Sequence, residues 1–174
     1  REFCFIVNHA GRADTRPFVE PLAVFSRAIN QQCVTRRGAG DGTHPDGDAC
    51  FRGGGFLDAH RSFFTKGKKF RQPAYLATSF SIDKANFFIS RSGMPSKVRW
   101  TIRIDPDHKC NHVNLVDKSN VPGEQEYLFV PYSAFTVPSV SWKAGTTAEP
   151  HEIELLAAVD NKAEPEDLPL APWS

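Results

Sequence analysis

The sequence has no excess of either charge sign. Lysine plus arginine number 21 and aspartate plus glutamate number 20 in 174 residues, so the formal net charge is +1. A nucleic-acid-binding module is expected to carry a clear basic excess. The charge balance therefore argues against nucleic acid as a partner, and the length predicts one globular domain.

Long apolar runs and secretory signals are also absent. The longest uncharged run, residues 127–142, is too short for a membrane span and is interrupted by Pro131 and Pro138. No asparagine begins a glycosylation sequon, and no basic-then-apolar leader is present. We therefore expect a soluble protein with no membrane span, located in the cytosol or delivered as an effector. A first residue other than Met suggests an excised domain or mature fragment.

The four cysteines are too few for a disulfide framework, and none lies in a C-x-x-C pair. His108, Cys110 and His112 fall within five residues and resemble a set of metal ligands. Their spacing by two and the lack of a second cluster are more typical of a polar loop. We expect no metal.

The chain is instead rich in phenylalanine (14), glycine (12) and proline (13), which favours a β-rich body with many turns. An apolar stripe predicts one helix over residues 18–29, with Pro21 in its first turn. Further patterns predict strands at 49–51, 74–80, 98–104, 127–130, 135–137 and 153–159, a helix at 82–89 and a loop at 36–48. We place the domain at residues 1–162 and expect a proline-rich tail at 163–174 that is extended and partly disordered.

Two carboxylates lie two positions apart, at Glu124 and Glu126. In a strand, both would point to the same face and repel each other. This arrangement favours a positive charge opposite them, which could be an arginine of the protein, a bound cation or a cationic transition state.

Three segments in order give the most specific signal: Phe51-Arg52-Gly53, Ala77-Thr78-Ser79, and Glu124-Gln125-Glu126 followed by Tyr127-Leu128-Phe129-Val130. Together they resemble the arginine-directed mono-ADP-ribosyltransferases of the Arg-Ser-Glu class, over residues 18–159. Arg37-Gly38 is a weaker match to the first segment, because polar residues precede it. The resemblance implies an α+β fold with a mixed, mainly antiparallel two-sheet core, an N-terminal helix and a cleft for NAD+.

The resemblance also implies an activity: transfer of ADP-ribose from the co-substrate NAD+ to an arginine of a protein, with release of nicotinamide. Glu126 would stabilise the cationic sugar formed as nicotinamide leaves. Glu124 would orient the acceptor guanidinium, whose pKa is too high for simple deprotonation. We expect a monomer.

The remaining roles follow from the same resemblance. Arg52 would hold the NAD+ diphosphate, the backbone of Gly53 would hold the nicotinamide amide, and glycines after Arg52 would let the ligand approach the backbone. Residues 116–123 would form the acceptor-recognition loop. Residues 90–97 would contact the phosphates through Arg91. Ala85 and Phe88 would face the core, and Phe51, Phe129 and Phe135 are further predicted core residues.

One position departs from the family pattern: Ala77 replaces the first serine of the Ser-Thr-Ser triplet, which orients the catalytic glutamate. Thr78 or Ser79 could substitute, the triplet could instead be Ser79-Phe80-Ser81, or activity could be reduced. We favour Ser79, with Thr78 second. The competing functions are NAD+ glycohydrolysis and a catalytically weak NAD-binding module.

Overall fold

The computed structural model describes residues 2–33, 46–107, 110, 113–115 and 125–172. Three α-helices lie in this part of the chain: α1 (Glu2–Ala13), α2 (Arg16–Cys33) and α3 (Ile82–Arg91). Eight strands accompany them: β1 (Ala49–Phe56), β2 (Lys69–Gln72), β3 (Leu76–Ser79), β4 (Ser96–Arg103), β5 (Val113–Leu115), β6 (Glu126–Phe129), β7 (Ser133–Ser141) and β8 (His151–Ala157). Short 3-10 helices occur at Asp46–Asp48, Asp58–Phe63 and Asn161–Ala163.

The eight strands form one sheet in the order β2-β7-β8-β4-β1-β3-β6-β5. All neighbours are antiparallel except β4 and β8. The predicted mixed, mainly antiparallel α+β fold is therefore confirmed. The two expected sheets are continuous, but their joint is narrow, because β1 and β3 share the single pair Phe51 and Ser79.

The core lies on one face of this sheet. β4 alternates strictly between buried and more exposed residues, as the sequence predicted, with Val98, Trp100 and Ile102 inside. Aromatic rings fill the space beside it in tilted and edge-to-face pairs, which are favourable ring geometries. The buried phenylalanines among the described residues are Phe56, Phe64, Phe70, Phe129 and Phe135. The core positions predicted for Phe129 and Phe135 are confirmed.

Two helices precede the sheet where the sequence predicted one. The predicted helix lies within α2, which begins at Arg16, so Pro21 sits in the interior of the helix rather than in its first turn. Of the expected stripe, Leu22 is buried, whereas Phe18 and Phe25 are about half exposed. Leu22 packs with Val7 and Ala10 of α1 and forms a small second core.

The first strand is longer than the predicted strand at 49–51, because β1 continues through the glycine run to Phe56. The reason is the packing of α3. A Cβ at Gly53 would lie 1.7 Å from the backbone oxygen of Ala85, and one at Gly55 would lie 2.5 Å from that of Ser96. Real Cβ atoms do not come so close, so only glycine lets α3 and the segment after it rest on this strand.

The C-terminal tail is held against β2. Leu170 bridges to Arg71, and Ala171 is buried. The Arg71 guanidinium donates to the carbonyl oxygens of Tyr132 (2.9 Å), Asn161 (3.2 Å), Glu164 (2.9 Å) and Pro165 (2.8 Å). These contacts hold the tail against the body of the fold as far as residue 172.

Candidate active site

A cleft of about 270 Å³ opens where β1 and β3 meet at their narrow joint. Its walls come from these two strands, the start of β6 and one side of α3. The lining residues are Phe51, Arg52, Gly53, Ala77, Thr78, Ser79, Ala85, Phe88 and Glu126. The structure therefore brings the three sequence segments together at one place.

Ser79 of β3 and Glu126 of β6 lie opposite each other on adjacent strands. They are directly paired in the antiparallel ladder between β3 and β6. Side chains of directly paired residues lie on the same face, with their Cβ atoms about 5 Å apart. Ser79 is buried and its hydroxyl oxygen accepts from the backbone N–H of Ser81 at 3.0 Å, which fixes its rotamer beside the half-buried Glu126.

The Thr78 side chain lies on the other face of β3, where its hydroxyl is engaged in hydrogen bonds. Its hydroxyl donates to the backbone oxygen of Tyr127 at 2.6 Å, and it also hydrogen-bonds the buried thiol of Cys50. Burial raises the pKa of that thiol to about 12, and the thiol is therefore neutral at physiological pH. Ser81 lies beyond β3, at the N-cap of α3. Of the three candidates, only Ser79 pairs with Glu126.

Arg52 spans the opening between the two halves of the sheet. Its Nη1 donates to the backbone oxygen of Ala77 at 2.8 Å, beyond the last ladder pair of β1 and β3. Its Nε is buried and has no hydrogen-bond partner among the described atoms. Burial, with a smaller contribution from the positive charge of Arg12, lowers the pKa of the guanidinium to about 10. Arg52 remains cationic at neutral pH and has unused donor capacity.

The glycines after Arg52 make room for neighbouring elements. The missing Cβ of Gly53 leaves space for α3, as described above. Gly53 also lines the cleft. Gly54 faces Trp100, and a Cβ there would lie 3.5 Å from that ring, an ordinary contact.

Helix α3 presents the ring of Phe88 to the cleft, whereas the sequence predicted this ring in the core. Ala85 and Ile89 are buried, but Phe88 is 44% exposed and lines the cleft. The prediction for Ala85 is confirmed and that for Phe88 is wrong. Phe51, also expected in the core, is half-buried in the cleft wall. Arg91 is exposed at the end of α3, where its guanidinium lies 5.3 Å from the ring centre of Phe87, and it does not line the cleft.

The backbone turns sharply just before Glu126. Gln125 has a φ of 46°, in the left-handed region, and β6 begins only at Glu126. The alternation that would place Glu124 and Glu126 on one face requires extended backbone at residue 125. Because Gln125 is not extended, the argument from strand alternation does not hold here. Glu124 itself lies outside the described residues. The loop at 116–123 and most of the loop at 36–48, with Arg37 and Gly38, lie outside them too.

The described residues contain no group of three or more His, Cys, Asp or Glu side chains able to hold a metal ion. Cys110 is buried and its thiol contacts the backbone oxygen of Ala158 at 3.4 Å. His108 and His112 lie outside the described residues. None of the described helices is long and apolar enough to cross a membrane.

Comparison with solved structures identifies the architecture. The chain matches Vis, an ADP-ribosyltransferase of Vibrio splendidus solved with agmatine, at a TM-score of 0.67 and 15% identity, over 98% of this chain and 75% of that one. It matches Plx2a, an ADP-ribosyltransferase toxin of Paenibacillus larvae, at a TM-score of 0.61 and 14% identity, over 87% and 78%. The catalytic domain of VahC from Aeromonas hydrophila gives a TM-score of 0.53 and 16% identity, over 81% and 72%.

The sequence comparisons find nothing: no protein-family model and no curated protein sequence matches the chain. The structural likeness nevertheless extends over nearly the whole chain, and it includes the strands and the helix that build the cleft. The chain therefore has the ADP-ribosyltransferase fold.

Proposed function

We propose that this chain transfers ADP-ribose from NAD+ to an arginine side chain of a protein and releases nicotinamide. The observation that carries the proposal is the pairing of Ser79 with Glu126 in the cleft that also contains Arg52. A carboxylate, a buried hydroxyl beside it and a cation with unused donors are the groups that this reaction needs, and the fold is one that supports it.

Glu126 supplies the negative charge for the bond-breaking step. The bond between the ribose carbon and the nicotinamide nitrogen breaks, nicotinamide leaves with the electron pair, and the sugar develops positive charge. A fixed carboxylate beside that sugar stabilises the transition state more than the ground state. The nitrogen of the acceptor guanidinium then bonds to the same carbon and loses a proton.

Ser79 acts as a positioning residue for Glu126. The hydroxyl is held by the Ser81 N–H and lies on the same face as the carboxylate. A supported carboxylate keeps its geometry as charge develops, whereas a free one would have to reorganise. With Ser79 in this place, Ala77 two residues earlier need not carry the hydroxyl expected there.

Arg52 and Phe88 are placed to bind the two ends of the nicotinamide half of NAD+, the diphosphate and the nicotinamide ring. The Nε of Arg52 is buried and lacks a hydrogen-bond partner among the described atoms, which favours a diphosphate oxygen as its acceptor, and the exposed ring of Phe88 offers a flat apolar surface to a planar ring. A cleft of about 270 Å³ is slightly smaller than the roughly 300–1,000 Å³ of pockets that enclose a drug-sized ligand. The dinucleotide would therefore extend beyond it.

An arginine acceptor is supported by Glu124 and by one relative. Glu124 precedes Glu126 by two positions, as in the arginine-directed class, and a second carboxylate would orient a guanidinium. Vis, which has the same fold, was solved with agmatine, a small guanidine compound. Arg91, at the end of α3, remains the second phosphate contact that the resemblance suggests.

The test is incubation of the chain with NAD+ and agmatine, with nicotinamide and ADP-ribosylagmatine measured by mass spectrometry. The chain as isolated should form both in equal amounts. Glu126→Gln should lower the rate at least 100-fold, because the charge that stabilises the transition state is removed. Glu149→Gln is the matched control, since Glu149 is exposed and does not line the cleft, and this variant should behave as the unmodified chain.

The same assay separates the alternatives. Nicotinamide release with free ADP-ribose and no agmatine adduct would show a glycohydrolase. No nicotinamide release under conditions where NAD+ binds would show a silent NAD-binding module, and the proposed transfer would be wrong. Ser79→Ala should slow release without weakening NAD+ binding, and Thr78→Val, which alters the other face of β3, should affect stability more than rate.

A further inference from the structure

One side of helix α3 is not used to build the fold. Ala85 and Ile89 bury the helix against the bare backbone of Gly53. At 3.6 residues per turn, Phe87 lies about 160° around the helix axis from each of these two residues, and it is 50% exposed. The packing of α3 on the sheet therefore does not account for an aromatic ring at position 87.

The ring of Phe87 is connected to the cleft through Phe88. The two ring centres lie 5.7 Å apart in an edge-to-face arrangement, and Phe88 lines the cleft. The guanidinium of Arg91 also lies 5.3 Å from the ring centre of Phe87. Aromatic side chains and arginine are enriched where proteins bind one another. Phe87 is therefore suited to contact another protein beside the cleft.

The size of the cleft determines what can lie over this position. The volume of about 270 Å³ is below the roughly 300 Å³ of the smallest pockets that enclose a drug-sized ligand, so the nicotinamide half of NAD+ would take up most of it. An acceptor can then insert one side chain, while its backbone and its neighbouring residues stay on the rim. Ala85 and Phe88 belong to the lining, so α3 is part of that rim. A protein acceptor is thus the occupant that would cover Phe87 during the reaction.

The distance between the two rings sets a spacing in the acceptor. In an extended peptide, residues two positions apart point to the same side and are separated by about 6.6 Å, whereas adjacent residues point to opposite sides. An arginine that enters the cleft beside Phe88 therefore brings the residue two positions away close to Phe87, whose ring centre is 5.7 Å from that of Phe88. An apolar side chain gains most by covering an exposed phenyl ring.

We propose that Phe87 is the docking residue for the protein acceptor and that it selects acceptors with an apolar side chain two positions from the modified arginine. This inference rests on the proposed function. It adds a preference for the sequence around the arginine, and it assigns that preference to the exposed side of α3.

The experiment uses four synthetic peptides of glycine and serine that each contain a single arginine. The parent peptide has no leucine, and the other three have one leucine, placed two positions before the arginine, two positions after it or directly after it. ADP-ribosylation from NAD+ is followed by mass spectrometry. We expect one of the two spaced leucines to raise kcat/KM about 5- to 20-fold, mainly through KM, as expected for partial burial of one leucine side chain. The adjacent leucine should resemble the parent peptide.

The variants are compared by a ratio, the kcat/KM for the spaced-leucine peptide divided by that for the parent peptide. Any effect of a substitution on the cleft itself cancels in this ratio. Phe87→Ser should lower the ratio to about 1, and Phe87→Leu should recover most of it. Phe25→Ser is the matched control, because Phe25 is exposed to a similar extent on α2 and does not line the cleft. Its ratio should equal that of the unmodified chain.

The two proposals can fail separately. Transfer to agmatine with equal kcat/KM for all four peptides, or a ratio that Phe87→Ser leaves unchanged, would overturn the docking residue and keep the transferase. An equal gain from the adjacent leucine would overturn the proposed spacing. Tighter binding of the spaced-leucine peptide that is lost in Phe87→Ser, measured by fluorescence anisotropy, without transfer to any acceptor, would keep the docking residue and overturn the transferase. Neither transfer nor preferential binding would overturn both.

Discussion

The contact of α3 with β1 at Gly53 allows a sharp test of how the cleft is built. Helix α3 supplies Ala85 and Phe88 to the lining, and it lies so close to β1 that a Cβ at Gly53 would overlap the Ala85 carbonyl oxygen at 1.7 Å. The obstructing atoms are helix backbone, which cannot move aside as a flexible side chain could. Gly53→Ala must therefore push the whole helix outward by more than 1 Å.

The expected cost is at the upper end of the range for overpacking, about 3 kcal/mol. For a chain of this length, each 1 kcal/mol lowers the Tm by roughly 2–4 °C, and the Tm should fall by about 6–12 °C. The measurement is thermal and urea unfolding followed by far-UV circular dichroism. Affinity for NAD+ should fall with it, because the helix carries one wall of the cleft.

The matched control is the next residue. A Cβ at Gly54 would make an ordinary 3.5 Å contact with Trp100, and alanine is about 0.5–1 kcal/mol better than glycine within a strand. Gly54→Ala should therefore be neutral or slightly stabilising. Equal stability of Gly53→Ala and Gly54→Ala would refute the packing described for α3.

Two further predictions concern the body of the fold. Arg71→Gln should destabilise the protein by about 3 kcal/mol, because several buried carbonyl groups lose their donor, and it should make the tail after residue 161 sensitive to limited proteolysis. Lys69→Gln, which breaks only an exposed ion pair with Glu164, should cost under about 1 kcal/mol and leave the tail protected, and equal sensitivity of both variants would contradict this. Hydrogen bonds from Lys143 and Arg103 lower the pKa values of Glu152 and Glu154 below the ordinary 4.5. Their stabilisation is thus complete above pH 4.5 and is lost as the pH falls through the folded values. The double variant Glu152→Gln/Glu154→Gln should show a shallower loss of stability in acid, measured by urea unfolding at pH 3–7, and an unchanged slope would contradict the assignment.

The sequence predicted the strands well where alternation was strict. In β4 every second residue is apolar, and one side of the strand is buried on the core face. The motif segments also came together as expected, because β1, β3 and β6 are neighbours in the sheet. The order of the motif segments along the chain and the pairing of their strands were sufficient to predict that these segments meet at one site.

The orientation of α3 could not be read from its sequence. Phe87, Phe88 and Ile89 are three adjacent apolar residues, and any of them could face the core. Ala85 and Ile89, four residues apart on one side of the helix, both meet the bare backbone of Gly53. That contact buries Ile89 and rotates Phe88 towards the cleft, and it depends on a glycine about 35 residues earlier.

The roles of Arg71 and Gln125 were hidden for a related reason. Four carbonyl groups from two distant segments converge on the Arg71 guanidinium, so its role depends on tertiary contacts. Gln125 has a left-handed backbone, which no local signal predicts for glutamine.

The most direct test of the central claim is the product formed from NAD+ and agmatine by the chain and by Glu126→Gln. We predict ADP-ribosylagmatine and nicotinamide in equal amounts from the chain, at least 100-fold less of both from Glu126→Gln, and unchanged amounts from Glu149→Gln. Product formation by Glu126→Gln at the rate of the unmodified chain, or no nicotinamide from any of the three, would contradict a transferase site built on the pairing of Ser79 with Glu126.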